Sequence, residues 1–396
     1  MSSIKARLKE NNLIYKTYRA VIDGKEQVMY DLKKFVPAGI LARNEYQKAM
    51  ANQIEYSEHF EGIAHIGEIE INKNCNLNCI MCNTQASTRN NVNMPIELFE
   101  KVVIYMKSIQ QDNCTFHTIG EPLLNPNLEE YLKILRKYGG ITVSLQTNGQ
   151  ILHKRLDILC QYSDVIDTIR FSIDGASKET YEMIRKNGRF EVLIENLNKL
   201  KAVNKDSKYF NVKIDSVVSS DVLPELAYHM SFYSQFTNME NITLSLLHGC
   251  SLDTTYFFNN SMMDNHIRSN HPCTLLNGGM FIFGDGRVST CCIDFNGDLV
   301  YGSFLENTPK ELINNDKVVQ LRRYHLQKSL PEGHRCTKCF TIDPRVTHLF
   351  KAFVDILVLK YADRWDVEAM QPRFNGFFEL FKDEIPSEGK YLSLFN

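Results

Sequence analysis

Charge of one sign is what this sequence has least of: 45 lysines and arginines stand against 47 aspartates and glutamates, a net charge of −2 over 396 residues. No domain-wide basic field exists to release counterions from a phosphate backbone, so nucleic acid is not expected as a partner. Long apolar runs are missing too. The N-terminus, MSSIKARLKENN, has no apolar core, and the most apolar later stretch, LFKAFVDILVLKYA, is broken by Lys351, Asp355 and Lys360. That argues against a targeting segment and a membrane span, and the expectation is a cytoplasmic chain with no membrane partner. There is no low-complexity tract, and Trp365 is the single tryptophan. With 43% apolar and 23% charged residues the chain has the apolar surface to offset its ordering entropy, which excludes wholesale disorder. The length suits two or three domains, or one large barrel with an appendage.

Cysteine, by contrast, is plentiful. There are eleven, spaced unevenly, unlike a small secreted disulfide framework, so metal or cluster ligation is the better expectation. Seven fall into two groups: Cys75, Cys79 and Cys82 near the front, and Cys273, Cys291, Cys336 and Cys339 near the back. Cys114, Cys160, Cys250 and Cys292 remain.

Between about Gly67 and Gly249 short β-rich runs alternate with helical periodicity, the mark of βα units around a parallel sheet. Six strands are predicted: Glu68 to Asn72, Cys114 to His117, Ile141 to Gln146, Thr168 to Ile173, Phe210 to Val218 and Ile242 to Leu247. Pro95 to Gln110 places Ile96, Phe99, Val103 and Met106 on one helical face, and Leu128 to Tyr138 and Glu191 to Val203 repeat the pattern. The fold class is α/β: a partial (β/α)6 barrel of the TIM type.

In such a barrel the loops at the C-terminal strand ends converge on one mouth. Strand one runs into the three-cysteine loop, strand two into Gly120-Glu121-Pro122 and strand three into Thr147-Asn148-Gly149. Strand four ends in Ser172-Ile173-Asp174-Gly175 and strand six in His248-Gly249-Cys250. Polar residues of unusual kind thus collect on one rim. Beyond them, FIF-GDG-RVSTC and CCIDF-NG-DLVYG read as two β-hairpins turning at Asp285-Gly286 and Asn296-Gly297. The expected division is an N-terminal extension over 1–64, the barrel over 65–260, a small separate hairpin-rich module over 261–344, and a helical C-terminal extension over 345–396.

Cys75, Cys79 and Cys82 have CxxxCxxC spacing on one tight loop. Three thiolates held so closely can each bind one iron of a cubane, leaving the fourth iron open to chelate the amino and carboxylate groups of S-adenosylmethionine (SAM). The alternative is zinc, but zinc wants four ligands, usually in CxxC-like pairs, and no nearby residue obviously completes the set. On these residues, with Met81 before the third cysteine and with Gly120-Glu121-Pro122 and Ser172-x-Asp174-Gly175 after the right strands, the chain resembles the radical SAM superfamily from about 66 to 344. The resemblance implies that Gly120 and Glu121 hold the methionine amino group. It places Asn148 and Ser172 near the ribose and carboxylate, and Arg185 where its planar fork could pair that carboxylate. Ile119 stands where the family has the first glycine of a doublet.

Cys273, Gly286 and Cys291, then Cys336 and Cys339, resemble the SPASM and twitch extensions of that superfamily. With no cysteine after Cys339, four ligands would close one auxiliary 4Fe–4S cluster, the shortened twitch-like form, for two 4Fe–4S clusters in all. A four-cysteine zinc knuckle is the alternative. Cys292 would face away from Cys291 if both lay in a strand, and it is left out of the ligand set.

The resemblance implies a 5′-deoxyadenosyl radical that takes hydrogen from carbon, and an electron donor such as flavodoxin or ferredoxin. In carbohydrate- and aminocyclitol-modifying members the outcome is alcohol oxidation or epimerisation, and a small polar substrate of that class is expected here. Cys250 is the candidate hydrogen donor, with Cys292 and Cys114 behind it. His117, Asp215 and His248 are candidates to bind substrate hydroxyls. A peptide- or protein-modifying enzyme is the rival reading, and a non-catalytic iron–sulfur or zinc protein the rival of another class.

Overall fold

The fold is that of a computed structural model, which describes residues 37–51, 57–207, 209–247, 256, 260, 273–338 and 344–382. Six parallel strands are present where six βα units are expected: β1 (His65–Ile69), β2 (Asn113–Phe116), β3 (Thr142–Thr147), β4 (Ile166–Ser172), β5 (Asn211–Val218) and β6 (Ile242–Leu246). Helix α1 (Ala38–Ala51) precedes them. Helices α2 (Ile96–Ser108), α3 (Leu128–Tyr138), α4 (Leu156–Gln161), α5 (Lys178–Ile184), α6 (Phe190–Ser207) and α7 (Leu226–Tyr233) lie between. The first strand starts and ends three residues earlier than expected. Glu70 already leaves the β1–β2 ladder to donate its N–H to Ile282, and Asn72 keeps one isolated bridge to Asn93.

Period-two alternation divides the sheet into two faces. Cys114, Phe116, Val143, Leu145, Ile169, Phe171 and Ile214 point to the helices and are buried against side chains such as Leu98, Phe99, Val102 and Leu135. Phe99 meets Phe116 and Tyr131 with ring centroids 5.6 and 4.9 Å apart. Each such side chain contributes about 1.5–3 kcal/mol by leaving water. The opposite parity, Ser144, Gln146, Arg170, Ser172, Lys213 and Asp215, is polar and half-exposed, and forms the inner face.

The hairpin region differs from expectation in two ways. Its strands continue the barrel sheet: β7 (Gly279–Ile282) pairs parallel with β1, and β8 (Arg287–Ser289) and β9 (Val300–Ser303) follow antiparallel. Among the described residues one sheet therefore runs β6-β5-β4-β3-β2-β1-β7-β8-β9. Its ends are β6 and β9, so the barrel is open. Asn296-Gly297 is not a tight two-residue hairpin turn, because the whole segment 290–299 connects the antiparallel strands β8 and β9. Residues 291–299 form a turn folded around Asp294, whose carboxylate accepts the N–H groups of Gly297, Asp298 and Leu299 and the Ser289 hydroxyl. Cys291 and Cys292 lie in that turn, so the argument that they face opposite sides of a strand does not hold.

Helix α8 (Pro309–Ile313) and α9 (Asp316–Gln327) follow β9, and α10 (Pro344–Tyr361) returns to pack on both α1 and β6. The two extensions without motifs therefore meet each other beside the β6 edge, where an uncovered strand would invite foreign pairing. Phe350, Phe353, Phe374, Phe377 and Phe381 form their shared core. Among the described residues no helix is long and apolar enough to cross a membrane.

Candidate functional site

The loop after β1 is held by backbone bonds to the end of α5: Asn78 N–H donates to Lys186 and Ile80 N–H to Ile184, at 2.9 and 3.0 Å. Gln85 adds side-chain bonds to the carbonyls of Leu77 and Cys75. Cys75, Cys79 and Cys82 line one cavity, and each sulfur has a donor beside it. Cys75 Sγ faces the Leu77 N–H at 3.5 Å and the Asn148 amide at 3.9 Å. Cys79 Sγ faces Arg185 at 3.8 Å, and Cys82 Sγ lies 3.1 Å from the Thr84 hydroxyl. Donors aimed at sulfur are what an anionic, metal-bound thiolate requires. Burial pushes the free thiols of Cys75 and Cys79 up to about 12 and about 11, a cost that a bound cation reverses by taking the proton's place. Among the described residues no three ligating groups converge on a single ion. Three thiols around one cavity suit a cubane, which takes one thiolate per iron.

The same cavity is lined by Gly120, Glu121, Asn148, Ser172, Arg185 and His117, all anticipated from sequence. Gly120 has φ +98°, and a Cβ there would meet the Asn72 carbonyl oxygen at 2.4 Å, so only glycine lets this loop lie against the end of β1. Glu121 is buried, and its side chain is occupied by the protein. The carboxylate accepts the Asn148 N–H at 2.7 Å, the Thr147 hydroxyl at 2.7 Å and the Leu123 N–H at 3.1 Å. Burial outweighs those bonds and pushes its carboxyl up to about 7. Arg185 Nε lies 2.6 Å from Asp174 Oδ2, and Asp174 Oδ1 accepts the Val217 N–H, so the cation is anchored to both β4 and β5. Ser172 Oγ accepts from Gln146 Nε2 at 2.7 Å.

Below the cavity the inner face is polar. Arg170 donates through Nε and Nη2 to both oxygens of Asp215 at 2.8 Å, and Gln146 adds a longer bond at 3.3 Å. Glu68 on β1 feels the charges of His117 and of Arg170. Glu68 has the parity opposite to Ile69, which pairs with Phe116 and faces the helices, so its side chain turns to the inner face of the barrel. Burial pushes its carboxyl up, and its Oε2 has no hydrogen-bond partner among the described residues. Glu68, Gln146 and Arg170 were missed by motif reading, although their every-second-residue spacing on predicted strands was a usable signal.

Cys114 is buried on the helix-facing side of β2, so it cannot serve as a donor into the barrel. Cys250 and His248, the other expectations at the mouth, lie outside the described residues, as does Cys339. Cys291 follows β8, Cys336 sits in the 3-10 turn Arg335–Lys338, and Cys273 precedes the turn Thr274–Leu276. Arg335 ties two of these segments together. Its guanidinium pairs with Asp294 and Asp298 at 3.4 and 2.6 Å and donates to the Ile293 carbonyl at 2.8 Å.

The family model of the radical SAM superfamily matches residues 69–222, and that of the SPASM iron–sulfur cluster-binding domain matches 273–340. The first implies SAM and a 4Fe–4S cluster, and the second implies further iron–sulfur ligation. A GTP 3′,8-cyclase of Chlorobaculum tepidum is 26% identical over 175 residues, 44% of this chain and 52% of that protein. A probable GTP 3′,8-cyclase of Pyrococcus abyssi is 28% identical over 151 residues, 38% of this chain and 46% of that protein. The chain thus spans about half the length of these curated relatives. The solved structure of native anSMEcpe with bound AdoMet and Kp18Cys peptide superposes with a TM-score of 0.52 at 17% identity, covering 80% of this chain and 97% of that one. At that identity the likeness concerns the fold alone. The two family models take in the barrel strands β2–β5 and the hairpin strands β7–β9: residues 69–222 carry a radical SAM domain, and residues 273–340 a SPASM domain whose strands continue the barrel sheet.

Proposed function

We propose that this protein is a radical SAM enzyme that takes hydrogen from a carbon of a small hydroxylated substrate, of the carbohydrate or aminocyclitol class, and converts that carbon by oxidation or inversion. When bound, SAM on an open iron supplies the 5′-deoxyadenosyl radical. Cys75, Cys79 and Cys82 would hold that iron cluster, Arg185 and the Gly120–Glu121 loop would orient SAM, and Cys273, Cys291, Cys336 and Cys339 would hold the auxiliary cluster.

The observation that carries the substrate class is the inner face beneath the cavity. Glu68, His117, Gln146, Arg170, Ser172 and Asp215 offer both donors and acceptors there. A hydroxyl both donates and accepts, and several on one ring match such a surface. Glu68, with an oxygen that lacks a partner, is suited to accept from a substrate hydroxyl. Oxidation would pass the substrate's electron to the auxiliary cluster and its hydroxyl proton to a base. Inversion would instead return a hydrogen atom from a thiol, for which Cys250 is the proposed donor, and the thiyl left behind would be restored by one electron from the reductant, such as flavodoxin or ferredoxin, and one solvent proton.

The test is anaerobic turnover of a panel of sugars, aminocyclitols and peptides in deuterated water, with an electron donor such as flavodoxin or ferredoxin, read by mass spectrometry. Gain of one deuterium at carbon marks inversion, and loss of two hydrogens marks oxidation. Modification of peptides alone would overturn the substrate class. If Cys250→Ala forms wild-type amounts of an inverted product, that thiol is not the donor.

A further inference from the structure

Glu70 and Arg89 form a buried ion pair that the site described above does not use, with side-chain exposures of 0 and 2%. The pair is fork to fork: Nη1 donates to Oε1 at 3.0 Å and Nη2 to Oε2 at 2.5 Å. Arg89 Nε is left over, and it donates to the Phe295 carbonyl at 3.0 Å. The guanidinium plane lies 3.8 Å from the centre of the Phe283 ring, and Glu70 Oε1 also accepts the Gly284 N–H at 3.1 Å. Two neighbours of Arg89 reach the same place. The Ser87 hydroxyl donates to the Phe295 carbonyl, and the Thr88 N–H donates to Asn296 Oδ1 at 3.0 Å.

The positions of these residues give the pair its meaning. Glu70 lies where β1 enters the three-cysteine loop, and Arg89 lies where the chain leaves it. Phe283 and Gly284 follow β7, and Phe295 belongs to the turn after Cys291. Ile293 and Phe295, from that turn, line the cavity and pack with Ile119 and Cys82. The same turn is gripped from behind by Arg335, next to Cys336. One buried pair therefore fastens the front thiol loop to the segment that carries rear cysteines.

We propose that Arg89 is a positioning residue. Held by Glu70, it fixes the Cys291–Phe295 turn as the outer wall of the SAM cavity, so SAM affinity depends on a side chain that does not line that cavity. The Glu70 pairing supplies the rigidity: it leaves Nε no direction to point except at the Phe295 carbonyl.

Removing one partner alone would strand a buried charge and confuse folding with positioning. The double variant Glu70→Gln/Arg89→Met removes both charges, keeps an acceptor for the Gly284 N–H, and loses the bond to Phe295. In reconstituted holoenzyme with wild-type iron content, amide exchange in a peptide spanning 289–299 should speed up while β3 and β4 stay protected. The dissociation constant for SAM, by equilibrium dialysis, should rise about tenfold, a loss of order one charge-assisted hydrogen bond. An unchanged SAM affinity overturns the proposal, whether or not the turn loosens. So does weaker binding with a turn that stays protected. If the double variant does not fold, Arg89→Lys keeps the charge but loses Nε and the planar stack, and the same two readouts apply. A wild-type protein that does not bind SAM would instead point to the family reading as the failure.

Discussion

The carboxylate of Glu121 accepts the backbone N–H of Asn148 at 2.7 Å, and by that bond the loops after β2 and β3 become one unit. A buried acid serving three donors is here an internal brace for the cavity rim.

Replacing Glu121 with alanine should therefore act on stability as well as on SAM. Three buried donors lose their acceptor, a cost of about 3 kcal/mol. Chemical denaturation of the reconstituted protein should show that loss, with Glu121→Gln keeping more than half of the stability. An alanine variant as stable as wild type would mean that the brace is dispensable.

Thr118 carries φ +100°, a left-handed conformation that a β-branched residue rarely adopts, and its buried Oγ1 has no hydrogen-bond partner among the described residues. Strain of this kind persists at functional sites. Thr118→Gly should raise stability by about 1 kcal/mol through relief of that strain, and weaken SAM binding by loosening the loop. Thermal unfolding together with SAM titration checks both halves; a less stable variant removes strain from the account.

Much of this was legible in local sequence. Strand–helix alternation marked six βα units because period two and period 3.6 are local signals, and CxxxCxxC marked the front loop because all three thiols lie within eight residues. What escaped was long-range. No local pattern announces that Gly279–Ile282 pairs with β1, more than 200 residues earlier in the chain. Asn296-Gly297 suggested a hairpin because the sequence does not show that Asp294 takes up the surrounding N–H groups. Nor does any local pattern mark Arg89, whose partners Glu70, Phe283 and Phe295 come from three separate segments of the chain.

His229 is fully buried and bonded to Ser216 Oγ at 2.8 Å, and burial depresses its pKa to about 3. In the unfolded chain a histidine takes up its proton near pH 6.5. Below that value the unfolded state binds the extra proton, so this residue's contribution to stability is present above about pH 6.5 and is lost as pH falls toward 3, by about 1.4 kcal/mol per unit. His229→Gln should flatten the acid limb of a stability-against-pH curve. An identical limb in the variant would assign acid sensitivity to other groups.

Cys336→Ala should leave the front loop intact while removing a ligand from the rear site. Iron per chain should fall from about eight to about four, with SAM cleavage surviving. Unchanged iron would mean that the rear cysteines bind zinc or no metal.

Cys75, Cys79 and Cys82 are proposed to hold the cluster on which SAM is cleaved. The most direct test of that assignment is 5′-deoxyadenosine formation by anaerobically reconstituted protein with a strong reductant, wild type beside Cys79→Ala, with iron counted in both. Wild-type protein should be brown and form 5′-deoxyadenosine, and the Cys79→Ala variant should form none and lose about four irons. A colourless, zinc-loaded wild type that leaves SAM intact, or a variant with undiminished yield, would contradict the assignment.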